Sequence, residues 1–178
     1  MEKAIRREVI EHKVNIAIQI LFKNDPELLE NDVNERSITH KLAEYLQTQF
    51  SGCHVDCEYN KNGKYKKELD GLKKALEGIP ECANHIKTER VFPDIIIHLR
   101  GKQEANLLVI EIKKKINPNS SKCDEKKLEL FTQKGQYHYL FGLFIKFNRT
   151  NEPEFKWFEN GEEIQILTKD SVYAFNHI

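Results

Sequence analysis

The chain lacks any apolar run approaching the roughly 18 residues that cross a bilayer, so no membrane-spanning helix and no membrane partner are expected. Residues 1–14 are charged throughout and have no apolar segment of the kind a secretory signal needs, and the expected compartment is the cytoplasm. Neither sign of charge is in surplus: 28 Lys and Arg balance 28 Asp and Glu. Domains that hold nucleic acid by bulk charge carry a basic excess, so a zero sum argues against indiscriminate binding while leaving room for a localised basic face. Glycine is scarce, at 8 residues, and none forms the phosphate-cradling loop of a small-molecule phosphate enzyme. Cysteine occurs 4 times, and a reducing compartment makes Cys53, Cys57, Cys82 and Cys123 thiols by default. Cys53 and Cys57 flank His54, but a C-x3-C spacing with no second pair is a poor zinc signature. Half-buried thiols acting as small apolar residues account for them more simply. No internal repeat, low-complexity tract or linker interrupts the chain.

What is present fits a single domain over 1–178. Apolar residues make up 39% and charged residues 31%, and a chain of this length buries roughly 70% of its extended surface without disulfide or metal staples. Ile5, Val9, Ile16, Ile20 and Leu21 follow a helical period as far as Phe22, where Asn24-Asp25-Pro26 breaks it. A second helix is expected from about Asn31-Asp32, with Ile38, Leu42, Tyr45, Leu46 and Phe50 as its stripe and Gly52 as its stop. HVDCEYN alternates as a strand, with Val55, Cys57 and Tyr59 opposite His54, Asp56 and Glu58. Residues 61–90 read as a lysine-rich insertion holding a short helix ended by Gly78 and Pro80. VFPDIIIHLR and NLLVIEIKKK then form a hairpin around GKQEA. A helix from Ser120-Ser121 carries Leu128 and Phe131, YHYLFGLFIKF is a buried strand, and FKWFENGEEIQIL turns back at Asn160-Gly161. The expected class is mixed α/β.

The hairpin carries the chemistry. Alternation places Asp94, Ile96 and His98 on one face of its first strand and Val109, Glu111 and Lys113 on one face of its second. Both strands are otherwise apolar, and charge on a central strand is costly unless it is paired or bound to a cation. Asp94 follows Pro93 and so stands near the sheet's end. Two carboxylates there suit a hard divalent cation, which takes oxygen ligands plus water and phosphate and activates a water against a phosphodiester. A lysine two residues on suits a water- or phosphate-positioning group. Glu-x-Lys by itself means nothing, since it occurs 4 times; Pro-Asp occurs once, at Pro93-Asp94, 17 residues before Glu111. The plain alternative is a solvated strand end with a Glu–Lys pair.

PDIIIH followed by LLVIEIKK resembles the PD-(D/E)xK, or restriction-endonuclease-like, superfamily. NERSITHKLAEYL resembles the first core helix of that fold, HVDCEYN its first strand, the helix with Asp124 and Leu128 its second helix, and YHYLFGLFIKF its fourth strand. The likeness covers about 31–147, interrupted by the insertion, and is to small bacterial or phage-borne members. It implies an αβββαβ core with a mixed central sheet flanked by helices, to which an N-terminal helix and a C-terminal hairpin are added. It also implies Mg2+ (or Mn2+) held by Asp94, Glu111 and Glu35, with Lys113 as the remaining catalytic residue and DNA as substrate. Glu35 lies one turn before Ile38 and Leu42 on the same helical stripe, which aims it at the edge of the core.

Lys114 and Lys115 are candidate contacts to a nucleic-acid backbone, as are Lys126 and Lys127 at the start of the following helix; each is equally a solvating lysine. His98 either positions a phosphate or is a satisfied strand histidine. Segment 61–74 has 6 lysines against Glu68 and Asp70, the best phosphate-tracking candidate, although a solvated helix face is the usual meaning of such a run. Residues 24–35 hold 5 acids and no Lys or Arg, as helix starts favour. Trp157 and Phe158 read as sheet packing. The leading expectation is a metal-dependent endonuclease acting on DNA, a homodimer if it cuts both strands. The competing one is a non-catalytic nuclease-fold module that binds or interacts within a phage-defence or mobile-element system.

Overall fold

The computed structural model describes residues 6–31, 33–59, 61–62, 65–66, 71–82, 92–114, 121–135, 137–148 and 152–165. Lys115, Asp32 and most of the lysine-rich segment 61–74 lie outside the described residues or have no described side chain.

In chain order the elements are α1 (Arg7–Asn24), α2 (Glu27–Glu30), α3 (Glu35–Gln49), β1 (His54–Cys57), β2 (Lys61–Asn62), β3 (Tyr65–Lys66), α4 (Leu72–Leu76), β4 (Ile95–Leu99), β5 (Lys102–Lys114), α5 (Lys122–Thr132), β6 (Phe141–Phe147), β7 (Glu154–Glu159) and β8 (Glu162–Ile164). Six strands form one sheet in the order β1-β4-β5-β6-β7-β8, and β2 pairs with β3 separately. Among the described residues only β5 and β6 run parallel, with α5 as their crossover; the other pairs in the sheet are antiparallel. The class is mixed α/β, with helices on both sides of a mixed sheet.

Alternation along the strands decides what each face meets. Ile95, Ile97, Leu108, Ile110 and Ile112 are buried with Ile38, Leu42 and Leu46 of α3 and with α1. Ile96, Val109, Phe144 and Phe158 are buried on the other face with Leu128 and Phe131 of α5 and with Leu72 and Leu76 of α4. The register Ile96↔Val109 fixes this division, so Asp94 and Glu111 share the α5 side. Gly142 of β6 lets α5 approach closely. A Cβ there would lie 3.2 Å from Thr132 Cγ2 and 3.3 Å from Leu128 Cβ.

Several boundaries differ from the sequence reading. The second main helix starts at Glu35 with Asn34 as its cap, whose side chain accepts from the Arg36 N–H at 3.0 Å. Between it and α1 lies the short α2, for which Pro26 supplies the start. The hairpin turn is tighter than GKQEA, because β5 begins at Lys102 and a bulge beside His98 absorbs the change of register. Asn160 and Gly161 both have positive φ (54° and 87°), as a tight turn of that hairpin type demands.

The cysteines require a correction. Cys82 and Cys123 are disulfide-bonded, with Cα atoms 5.7 Å apart, and are not thiols. The 3-10 turn Pro80–Cys82 packs against the start of α5 and brings together positions 41 residues apart in sequence; nothing in cysteine spacing encodes that contact. Cys53 and Cys57 remain free thiols. His54 Nδ1 accepts from the Arg100 N–H at 3.3 Å, which leaves the zinc reading without its histidine.

Candidate functional site

The site begins with Pro93. Proline has no N–H to extend the ladder, and β4 starts two residues later at Ile95. The Ile112 N–H of β5 donates instead to Asp94 Oδ2 at 2.7 Å, so the carboxylate stands where a ladder carbonyl would. Burial pushes the Asp94 carboxyl up to about 6, against the Ile112 hydrogen bond, and the nearby Asp124 and Glu35 add to the rise.

Glu111 is 3% exposed, and its Oε1 makes no hydrogen bond. Its Oε2 lies 3.9 Å from Lys127 Nζ. Burial holds the Glu111 carboxyl well above its ordinary range, since Lys127 and Lys113 attract the charged form too weakly to offset desolvation and Asp94 and Asp124 repel it. A buried carboxylate oxygen with no partner costs stability, which makes it the most unusual atom of the cluster.

Helix α5 completes the arrangement. Asp124 Oδ1 accepts from Lys127 Nζ at 2.7 Å, and Oδ2 lies 3.1 Å from Lys113 Nζ. Burial would raise the Asp124 carboxyl, but Lys127 and Lys113 together hold it below its ordinary value. Desolvation would lower both lysines, yet Glu111 and Asp124 raise Lys127, and Asp124 and Glu35 raise Lys113. Both remain ammonium groups at neutral pH. From α3, Glu35 Oε2 accepts from the Lys114 N–H at 3.0 Å and Oε1 lies 3.8 Å from Lys113 Nζ.

Glu35, Asp94, Glu111 and Asp124 thus face Lys113 and Lys127: four carboxylates against two ammonium groups, a formal excess of two negative charges. Among the described residues no group of three or more His, Cys, Asp or Glu is arranged to hold a metal ion. The donor set still fits a divalent cation of the Mg2+ kind. Such an ion needs only one or two carboxylates with water completing its shell, the excess matches its charge, and Glu111 Oε1 is an unused hard donor.

The structure therefore brings Asp94, Glu111, Lys113 and Glu35 to one end of the sheet. It places the basic candidates differently. Lys114 Nζ donates to the Val33 carbonyl at 2.6 Å and is no free surface cation. Lys126 pairs with Glu129 one turn on. Lys127, read from sequence as a surface lysine, is turned inward, with 13% of its side chain exposed. His98 is a satisfied histidine: Nε2 lies 2.9 Å from Asp56 Oδ2, and the Tyr59 ring is 5.1 Å away. The sequence singles out Lys127 only as a lysine that touches a nucleic-acid backbone or solvates the helix, and it gives Asp124 no role in the site. The available signal was their position: with Leu128 and Phe131 they stand at helical spacings of 3 and 4 on the apolar stripe of α5, where charge is out of place.

Asp94, Glu35, Arg36, Glu58 and Phe92 border a cavity of about 420 Å3. Arg36 reaches Glu58 across its wall at 2.9 Å. No protein-family model matches the chain, and neither a curated protein nor a solved structure matches it.

Proposed function

We propose that the protein is a metal-dependent nuclease that hydrolyses phosphodiester bonds of DNA. The observation that carries this reading is the buried, unpartnered Oε1 of Glu111 on the face it shares with Asp94 and Lys113. A purely structural network would be expected to satisfy that oxygen; a site built for a cation leaves it open. The order α3, β1, β4, β5, α5, β6 is also the αβββαβ order that the PD-(D/E)xK resemblance implies.

Asp94 and Glu111 would hold Mg2+ or Mn2+, with Glu35 as a further ligand or the anchor of a metal water. When bound, the ion would lower the pKa of a coordinated water and offset charge on the phosphate. Lys113 would orient the attacking water or hold a phosphate oxygen, and its ammonium state suits either task. Asp124 would keep Lys113 in place through their 3.1 Å contact, while Lys127 offsets part of the acidic charge from within the core.

The test is cleavage of plasmid, linear and branched DNA in Mg2+ or Mn2+ by the wild type, Asp94→Asn and Lys113→Ala. The reading expects metal-dependent products from the wild type alone. No products on any substrate, with no metal bound in a titration, would overturn it. A non-catalytic module is the second reading, favoured by one observation: Lys113 is already paired with Asp124 and Glu35.

A further inference from the structure

The cavity beside Asp94 has properties that phosphodiester cleavage alone does not require. Phe92, two residues from Asp94, is 49% exposed at its edge. Among the described residues it is the one large aromatic side chain left exposed; the other large exposed apolar residues are Val9 and Leu140. The volume of about 420 Å3 falls within the range of sites that take one small organic group. Among the described residues the walls carry the carboxylates of Glu35, Glu58 and Asp94, and the Arg36 guanidinium is tied to Glu58 at 2.9 Å. With Glu35 and Asp94 turned to the metal they would hold, Glu58 is the carboxylate left at the Phe92 side of the cavity. It can accept a hydrogen bond from the exocyclic amine of a nucleobase, as carboxylates do from cytosine.

Resting on the nuclease reading, we infer that this cavity receives an unpaired nucleobase stacked on Phe92, next to the phosphate to be cut. A base within a duplex offers only its edges, and its face is covered by its neighbours. Only an unstacked base can present that face to an aromatic side chain. The zero net charge agrees with this occupant, because stacking supplies affinity that a long basic track would otherwise have to provide. The substrate class is therefore single-stranded or frayed DNA, for which one active site is enough.

The test compares kcat/KM on a single-stranded oligonucleotide, on the same sequence as a blunt duplex, and on a duplex with a single-stranded overhang. Wild type, Phe92→Ala and Phe92→Tyr are used, each checked for folding by circular dichroism. The expected result is a preference for unpaired substrate. Phe92→Ala lowers kcat/KM on the unpaired substrate by roughly ten-fold, mainly through KM. The loss on the blunt duplex is smaller than on the unpaired substrate, and Phe92→Tyr restores the wild-type value. Cleavage confined to the overhang duplex assigns frayed ends, and equal cleavage of both unpaired substrates assigns single strands. Equal rates on blunt and unpaired DNA, or no effect of Phe92→Ala, overturn the inference and leave the nuclease reading standing. No cleavage of any substrate by the wild type overturns both.

Discussion

The α5-side face of β1, β4 and β5 carries two polar clusters, one toward each end of β4. At the end where β4 leads toward β5, Asp56 takes bonds from His98 at 2.9 Å and from Arg100 Nε at 2.9 Å, and Arg100 Nη2 pairs with its other oxygen. One carboxylate there meets a guanidinium and an imidazole. Burial would raise Asp56, yet Arg100 and His98 hold it below the ordinary range. At the opposite end Asp94 and Glu111 are pushed up, and one oxygen of Glu111 has no partner. Both clusters put charge on otherwise apolar strands. Only one is electrostatically unfinished, and it is this contrast on which the proposed metal site rests.

The contrast can be broken or sharpened by substitution. The largest effect is expected at the unfinished end: Asp94→Asn should lower metal-dependent cleavage by roughly 100-fold or more while the fold is kept, since the ion's contribution amounts to several kcal/mol. Asp56→Ala should do the reverse. It strands the buried His98 and costs on the order of 3 kcal/mol of unfolding free energy, while cleavage per folded molecule stays within about two-fold. Reducing the Cys82–Cys123 link, or replacing both residues by alanine, should cost about 2–4 kcal/mol in denaturant titration. Gly142→Ala should cost roughly 1–3 kcal/mol by lifting α5 from β6.

The pH dependence follows from Asp94. Its folded value of about 6 lies above that of an unfolded aspartate, so the folded protein holds this proton more tightly. The resulting stability is present below about pH 4 and is lost as pH rises through about 6. For metal-free protein, unfolding monitored from pH 4 to 7 should show stability declining, by at most about 3 kcal/mol from this group. Metal affinity should run the other way, weakening as pH falls below about 6, because the ion and the proton compete for the same carboxylate.

How much of this was legible beforehand varies with the kind of signal. The shared face of Asp94, Glu111 and Lys113 follows from strand alternation alone, and the observed register, Ile96↔Val109, agrees with it. Glu35 is named by the resemblance to the nuclease superfamily, and its spacing to Ile38 and Leu42 puts it on the buried side of α3. The inward placement of Asp124 and Lys127 is not legible locally, because a lysine at the start of a helix is normally solvated and the buried pairing of these two follows from how α5 packs on the sheet. The ammonium of Lys114 meets the carbonyl of Val33, 81 residues away in sequence, a contact no local pattern encodes. The link between Cys82 and Cys123 has the same origin in tertiary contact.

On the proposed function Glu111 is kept unsatisfied for a divalent cation, and unfolding of the wild type and Glu111→Gln with and without Mn2+ decides whether it is. The claim predicts that Glu111→Gln is more stable than wild type in chelator by about 1 kcal/mol, because a neutral amide carries a smaller desolvation cost. It also predicts that Mn2+ stabilises the wild type and leaves the variant unchanged. A variant less stable than wild type in chelator, or equal stabilisation of both proteins by Mn2+, would contradict it.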